Sequence, residues 1–247
     1  MSVNICIDWG NTNVKAAIFA DNKIVEQSIF VPSDALKITT LAIDKYAPNK
    51  AIICSVNNDA SNLETFIIAR IKSSICLNNK TRLPIMNAYS SPDTLGVDRI
   101  AMVTAANDMF PDKNNLVICI GTCITYNLMQ KNRTFRGGAI SPGLKMRLKA
   151  MHEFTGRLPI VDVEGDLLLL GYDTETCMRG GAVLGIIAEI DGLINEFENQ
   201  YTDFNVILTG GDAPYFATKI KSRIFADPDL ILKGLNLIVN YNVPFPR

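Results

Sequence analysis

The sequence has little that would attract nucleic acid or assemble a histidine metal site. It contains a single histidine, His152, so histidine cannot supply a cluster of metal ligands. Its 24 lysines and arginines nearly balance 25 aspartates and glutamates, which leaves a formal net charge of −1. Without a basic excess, no long-range field draws in a polynucleotide or an anionic membrane. We therefore expect no nucleic-acid partner, and any anion that binds must be held by local geometry.

Long apolar runs are also missing. No stretch approaches the roughly 20 residues needed to span a bilayer. The opening residues MSVNICID carry no lysine or arginine before a short apolar run that ends at Asp8, which is unlike a secretory signal. We therefore expect a cytoplasmic protein with no membrane partner.

The cysteines are typical of a reduced core. Cys6, Cys54, Cys76 and Cys119 lie in apolar, strand-like runs, where a thiol behaves as a small hydrophobic group. The spacing of Cys119 and Cys123 does not match that of zinc ligands. Structural roles are therefore predicted for the cysteines.

Apolar periodicity predicts an α/β chain in which an opening pattern returns later. Strands are predicted at 3–7, 14–19, 24–31, 51–56, 116–120, 124–129 and 206–208. Helices are predicted at 39–47, 61–75 and 99–109, and from Leu144 and about Thr176, with a glycine-rich loop at 137–143.

A weak internal repeat relates the two halves. Ile5–Thr12 aligns with Leu116–Thr122, so that Asp8 matches Cys119 and Gly10 matches Gly121 at an offset of 119 − 8 = 111 residues. Such self-similarity indicates duplication. We predict two domains, at 1–113 and 114–247.

The first candidate phosphate site is the turn that follows the first strand. Gly10 has no Cβ, so backbone amides can approach phosphate oxygens, and Thr12 adds a hydroxyl donor. Asp8 is repelled by phosphate and is suited to Mg²⁺ held through water, with Lys15 nearby as a point charge. An ordinary hairpin turn is the alternative. The predicted phosphate-binding set here is Asp8, Gly10, Asn11, Thr12, Asn13 and Lys15.

Two later turns repeat this arrangement. Gly121 and Thr122, with Thr125, follow a predicted strand, and Gly210 and Gly211 follow another. Each glycine pair alone marks many ordinary turns. Three strand-to-turn sites in this order indicate a nucleotide that is bound through its phosphates.

The order of these motifs resembles that of type III pantothenate kinases. The resemblance is collinear from about residue 4 to residue 213, and its remaining motifs are Leu95–Arg99, Gly137–Gly143, Thr155–Pro159 and Thr209–Ala213. It implies membership of the acetate kinase/sugar kinase/Hsp70/actin superfamily, with two duplicated ribonuclease H-like, actin-like ATPase domains and a nucleotide cleft between them. It also implies a homodimer that uses ATP and Mg²⁺ to convert pantothenate to 4′-phosphopantothenate, the first step of coenzyme A biosynthesis.

The resemblance implies roles for particular residues. Asp98 matches the general base that accepts the proton of the pantothenate hydroxyl, and a helix N-cap is the alternative. Arg99 resembles a substrate-contacting arginine, whose guanidinium suits an anionic carboxylate, although a surface salt bridge is possible. Tyr89 matches a substrate-lining tyrosine or a core residue, and Thr174 a contact across the dimer interface. The implied substrate-binding set is Tyr89, Gly96, Val97, Asp98, Arg99 and Thr174.

Two positions depart from the family pattern. Where the resemblance implies two aspartates, the first of them a ligand of a monovalent cation, potassium or ammonium, this chain has Cys119 and Asn127. A neutral thiol is a poor ligand for a hard cation, which prefers oxygen. We expect the monovalent-cation requirement to be weakened, absent or rearranged.

Two other functions are open on sequence alone. The altered motif at Cys119 and Asn127 is compatible with a regulatory homologue that senses nucleotide or pantothenate without turnover. The phosphate turns are also compatible with a kinase of the same fold that acts on a sugar or on acetate. That second alternative does not account for Leu95–Arg99.

Overall fold

The protein is mixed α/β, as a computed structural model that describes residues 2–55 and 60–243 shows. From the N-terminus the elements are β1 (Val3–Trp9), β2 (Val14–Ala20), β3 (Lys23–Phe30), α1 (Ala35–Tyr46), β4 (Lys50–Ser55), α2 (Ser61–Arg70), β5 (Ser73–Cys76), β6 (Met86–Asn87) and α3 (Val97–Met109). They continue with β7 (Asn114–Ile120), β8 (Cys123–Met129), β9 (Thr134–Pro142), α4 (Leu144–Glu153), α5 (Thr174–Gln200), β10 (Phe204–Thr209), α6 (Ala213–Ala217), β11 (Phe225–Ala226) and α7 (Leu230–Asn242).

Contacts divide the chain into two compact units. The first contains the described residues up to Asp112, together with Lys131–Arg136 and those from Asp229 onward; the second contains Lys113–Gln130 and Gly137–Pro228. The division near 113 coincides with the predicted boundary between domains 1–113 and 114–247. The helix α7 departs from the prediction, because it belongs to the first unit although the predicted second domain, 114–247, includes it. The two-domain assignment itself stays a prediction.

The first unit is built on a five-stranded sheet in the order β3-β2-β1-β4-β5. Antiparallel hairpins join β1, β2 and β3, and β4 and β5 add in parallel. On one face Ile5, Ile7 and Ile53 pack in a cluster with residues of α1 and α2. Because side chains alternate along a strand, Cys6 and Cys54 point to the opposite face.

The second unit repeats this topology. Its strands follow the order β9-β8-β7-β10-β11, with β7 and β8 antiparallel and β10 and β11 parallel to their neighbours. The core under this sheet includes Val183, Ile186 and Ile190 from the long helix α5. The short strand β6 pairs with Thr134 and Phe135, the first residues of β9, and these pairs lie within the first unit.

The predicted strands and most predicted helices are confirmed, with shifts of a few residues at their ends. Val56, predicted as the end of a strand, lies outside the described residues.

Two predictions of secondary structure were wrong. The helix predicted at 61–75 ends at Arg70, and Ser73–Cys76 is a strand. The loop predicted at 137–143 is largely the strand β9, which runs so close to β8 that a Cβ on Gly138 would lie 1.9 Å from the Tyr126 carbonyl oxygen.

The described residues also bear on membranes and thiols. Within 2–55 and 60–243, no helix is long and apolar enough to cross a bilayer. All six cysteines are free thiols, and Cys6, Cys54, Cys76 and Cys119 lie in strands as predicted.

Candidate functional site

Asp8 lies near the end of β1, one residue before the turn. It is opposite Lys15 in the antiparallel pair with β2 and beside Cys54 in the parallel pair with β4. The turn that follows is tight, because the Gly10 amide donates to the Asn13 carbonyl oxygen at 3.1 Å. The three turn residues Asn11, Thr12 and Asn13 are exposed, so their donors are accessible to a ligand.

Asp98 lies in the first turn of α3, which begins at Val97 with Gly96 as the N-cap residue. Asp98 is therefore not the N-cap that the sequence left open as an alternative. Its carboxylate lies over Gly96, where a Cβ would be 2.5 Å from Asp98 Oδ1. A side chain at residue 96 would require the Asp98 carboxylate to move from this position. Both Gly96 and Val97 are half-buried.

The charge of Asp98 acts on Asp8 in the first unit. The pKa of Asp8 is raised to about 7; burial is the largest cause, the charge of Asp98 adds to the shift, and the charge of Lys15 opposes it. Burial also raises the pKa of Asp98, against hydrogen bonds from backbone N–H groups and the charge of Arg99. The pKa of the Cys54 thiol is raised by burial and by both aspartates. The structure thus brings Asp8 and Asp98 into one electrostatic site.

Arg99 is buried, with only 4% of its surface exposed, so it is not the surface residue that the salt-bridge alternative requires. Its guanidinium carbon lies 5.5 Å from the centre of the Tyr89 ring and 5.7 Å from that of Phe135. These two rings are stacked, with centres 6.1 Å apart and planes 11° from parallel. The sequence predicted Tyr89 and Arg99 for the site but gave no signal for Phe135, which lies far along the chain from both.

In the second unit, the turn after β7 is held by its neighbours on two sides. The Gly121 amide donates to Cys123 O at 3.0 Å. In the first hairpin the Gly10 amide makes the corresponding bond across its turn, to Asn13 O. Gly143 donates to Thr122 O at 3.0 Å, and a Cβ on Gly143 would lie 2.0 Å from Gly121 O. Thr122 is exposed, so its hydroxyl is accessible.

On the other side, the turn after β10 contacts the same backbone. Gly210 has φ +102°, a conformation that side chains with a Cβ rarely adopt, and a Cβ there would lie 2.2 Å from Ile120 O. The Asp212 amide donates to that oxygen at 3.0 Å. Gly211 has open space around it. The predicted residues Gly121, Thr122, Gly210 and Gly211 are thus brought together, and Gly143 joins them.

The departures from the family pattern lie beside this turn. Cys119 is opposite Thr125 in the pair of β7 with β8, the position that Asp8 and Lys15 occupy in the first unit. The fully buried Asn127 donates from Nδ2 to Thr125 Oγ1 at 3.0 Å and to Val117 O at 3.1 Å. An amide donor, rather than a carboxylate, therefore contacts the Thr125 hydroxyl.

Thr174 is the first residue of α5 and is exposed. It lies next to Asp173, whose side chain caps the helix by accepting from the Thr176 amide at 2.8 Å. Thr174 belongs to the second unit and Tyr89 and Arg99 to the first, so its role beside them stays a prediction.

The donor set near Asp8 is compatible with Mg²⁺. Among residues 2–55 and 60–243, no group of three or more histidine, cysteine, aspartate or glutamate side chains could enclose a metal ion. Mg²⁺ commonly binds through one or two carboxylates, with water and substrate phosphates completing its coordination. A buried carboxyl with a raised pKa gains a counter-charge when such a cation binds, so Asp8 suits this role.

Comparisons with known proteins agree on the family. The family model for type III pantothenate kinase matches residues 4–196. A type III pantothenate kinase of Bacteroides fragilis strain YCH46 is 45% identical over 244 residues, which cover 97% of this chain and 98% of that protein. One from Christiangramia forsetii is 39% identical over 241 residues, or 97% and 99% of the two chains.

Solved structures share the fold at low sequence identity. A conserved Campylobacter jejuni protein, provisionally assigned as a Baf family transcriptional activator, has a TM-score of 0.62 and 21% identity, covering 96% of this chain and 98% of its own. The inorganic polyphosphate/ATP-glucomannokinase of Arthrobacter sp. strain KM has a TM-score of 0.50 and 14% identity, covering 98% and 99%. These similarities concern the fold alone.

The raised pKa of Asp8 predicts an unusual pH dependence of stability. Between about pH 4 and pH 7 the folded protein keeps a proton on Asp8 that the unfolded chain has released, so stability should fall as the pH rises through this window. Asp8→Asn removes the ionisation. We expect the variant to be more stable than the parent at pH 7.5 by about 1–2 kcal/mol, after allowance for solvent screening, and nearly equal to it at pH 4.

Urea denaturation without nucleotide or Mg²⁺, at several pH values, measures this difference. Asp112→Asn, which changes an exposed carboxylate in a turn, is the matched control and should differ from the parent equally at every pH. An Asp8→Asn difference that does not vary with pH would contradict the electrostatic argument.

Proposed function

Because the chain belongs to the type III pantothenate kinase family, we propose that it transfers the terminal phosphoryl group of ATP to the hydroxyl of pantothenate in the cytoplasm. The product is 4′-phosphopantothenate, and the reaction begins coenzyme A biosynthesis. The observation that carries the proposal is the pair of coupled, half-buried carboxyl groups at Asp8 and Asp98. One suits a cation that accompanies the phosphates, and the other suits an alcohol.

The proposed step is an in-line phosphoryl transfer. The pantothenate oxygen forms a bond to the γ-phosphorus, the bond from that phosphorus to the β,γ-bridging oxygen breaks, and ADP leaves with the electron pair. Asp98 accepts the hydroxyl proton. Burial raises the pKa of Asp98, which makes its carboxylate a stronger base than an exposed aspartate.

Phosphate binding is assigned to backbone amides and hydroxyls. The turns at Gly10–Asn13 and Gly121–Thr122 present short polar side chains and close backbone approach, and Lys15 adds charge. Asp8 would hold Mg²⁺, which neutralises phosphate charge when it is bound. Since catalysis of phosphoryl transfer depends mainly on positioning and electrostatics, these residues need no covalent role.

Arg99 is proposed to bind the pantothenate carboxylate. A guanidinium is always charged at physiological pH and matches the geometry of a carboxylate. Contacts with the Tyr89 and Phe135 rings restrict the guanidinium, which lowers the entropy lost on binding. Lysine could not reproduce this planar arrangement.

Replacing the base tests the proposed chemistry. We expect Asp98→Asn to reduce kcat by about 10²–10⁴-fold, because asparagine keeps the shape of the side chain but cannot accept the proton. ATP affinity, measured by titration without pantothenate, should change less than about twofold. Asp93→Asn, an exposed carboxylate five residues earlier, is the control and should keep normal turnover. Near-normal turnover of Asp98→Asn would remove this residue from the mechanism.

We also propose that the reaction does not depend on a monovalent cation. The thiol of Cys119 is not a ligand that potassium prefers. The Asn127 amide already donates to the Thr125 hydroxyl and the Val117 carbonyl oxygen, so these oxygens contact a hydrogen-bond donor. The site therefore does not suit the cation that the family resemblance implies.

Potassium titration of the rate tests this proposal. We expect the rate in potassium to stay within about twofold of that in a large organic cation, because full activation needs hard oxygen ligands. Cys119→Ala should behave like the parent, as should the control Cys177→Ala on the exposed surface of α5. Strong activation of the parent that is unchanged in Cys119→Ala would contradict the proposal.

A homodimer is proposed from the segment between α4 and α5. Its large apolar side chains are unusually exposed, up to 93% at Leu169 and 88% at Leu170. The group consists of Phe154, Ile160, Leu169, Leu170 and Tyr172. Apolar patches of this kind mark interfaces, and a second copy of the chain is the proposed occupant. Thr174, at the end of this segment, is proposed to contact pantothenate from the partner.

Oligomeric mass tests the interface. Replacing Leu169 and Leu170 together by serine should convert the dimer to a monomer, because two exposed apolar anchors would be lost. Leu36→Ser with Leu41→Ser, on the exposed surface of α1, is the matched control and should leave the mass unchanged. Sedimentation equilibrium distinguishes the outcomes, and a monomeric parent protein would overturn the assignment.

A further inference from the structure

Four polar side chains form a closed cluster in the second unit. The hydroxyl of Tyr126 donates to Glu189 Oε1 at 2.8 Å, and the hydroxyl of Ser141 donates to the same oxygen. The Arg147 guanidinium donates to Glu189 Oε2, and its Nε donates to Pro142 O at 2.9 Å. We call Tyr126, Ser141, Arg147 and Glu189 the Glu189 cluster.

This cluster ties four elements together through one carboxylate. Glu189 lies in the middle of α5, and its partners come from β8, β9 and α4. Burial opposes ionisation of Glu189, but hydrogen bonds from Ser141, Arg147 and Tyr126 outweigh it, so its pKa lies below the usual value. The Glu189 carboxylate is therefore an anion at neutral pH, and both of its oxygens accept hydrogen bonds.

The bonds of the cluster end at the segment that supports the Gly121–Thr122 turn. Ser141 donates a hydrogen bond to Glu189, and the Pro142 carbonyl oxygen accepts one from Arg147. The next residue along the chain is Gly143. Gly143 donates its amide to Thr122 O at 3.0 Å, and there is no room for a Cβ between Gly143 and Gly121 O. A shift of the 141–143 segment would therefore displace the turn.

We infer that Glu189 is a positioning residue for nucleotide binding, acting through Ser141, Arg147 and Gly143 on the Gly121–Thr122 turn. It touches no reacting atom. The inference rests on the proposed function in one respect, the assignment of nucleotide phosphates to this turn. Small displacements of groups that orient a substrate have large effects, which gives the cluster a function beyond stability.

Glu189→Gln tests the inference. The amide keeps the size of the side chain but loses the charge that holds Arg147. We expect the KM for ATP to rise about tenfold, with little change in kcat and with the KM for pantothenate within about twofold of the parent. Pantothenate is the internal control, because Tyr89 and Arg99 lie in the other unit and Thr174 lies about four helical turns before Glu189 on α5. Glu196→Gln, an exposed glutamate on the same helix, should match the parent in all three constants.

Direct titration with ADP, in the absence of pantothenate, separates this inference from the proposed function. If the parent protein has no pantothenate kinase activity, the proposed function fails, and the ADP affinities of parent and Glu189→Gln still decide the inference. Weaker ADP binding by folded Glu189→Gln supports it. Equal ADP affinity, or an equal rise in both KM values, overturns it.

A milder variant covers the case in which Glu189→Gln does not fold. Ser141→Ala removes one of the hydrogen bonds to Glu189 and leaves the charge pair in place. We expect ADP affinity to fall about two- to fivefold, since the 141–143 segment is loosened but still held by Arg147. Unchanged affinity in Ser141→Ala would then overturn the inference.

Discussion

The proposed chemistry depends on keeping two carboxyl groups, Asp8 and Asp98, close together in a partly buried place. Such an arrangement is unfavourable, since burial and mutual repulsion both penalise ionisation. The fold limits the cost with specific groups. Lys15 stabilises the charged form of Asp8, and backbone N–H groups and the Arg99 charge stabilise that of Asp98. Gly96 supplies the space into which the Asp98 carboxylate fits. The negative charge that these groups do not offset is available to bind a cation at Asp8 and to accept a proton from the substrate at Asp98.

The two units place different chemistry at the same position of one topology. In both hairpins the glycine after the first strand donates to a carbonyl oxygen across the turn, at Gly10 and at Gly121. In the first unit the adjoining side chains include Asp8 and Lys15, whereas the second has Cys119 and Thr125. A charged hairpin can hold a cation beside the phosphates, while a neutral one can surround phosphate oxygens without repelling them. The repeat therefore supports a division of roles.

The two hairpins and Asp98 could be predicted from the sequence, because the residues that form each of them are close together along the chain. Strand alternation, turn glycines and the position of Asp98 at the start of an alanine-rich helix are all features of short stretches of sequence. The helix predicted to continue to Ile75 failed because apolar residues that suit a helix also suit a buried strand, and pairing with β4 decided the outcome. The strand at 137–143 was missed because paired glycines usually indicate a loop, while here they permit close contact with β8.

Residues that act across the fold could not be predicted. Phe135 reaches Arg99 from β9, and Glu189 on α5 meets Ser141 on β9, so both contacts join residues far apart in the sequence. Neither position has a local motif, and a glutamate in a long helix usually indicates a solvated face. The structure gives such residues their role through rigid contacts. Gly143 and Gly210 lie against the carbonyl oxygens of residues 121 and 120 with no space to spare, so the shape of the turn depends on whatever fixes those two segments. For the segment that contains Gly143, the fixing group is an ionised carboxylate whose oxygens both have partners, and a rigid anchor of this kind can preorganise a site that it never touches.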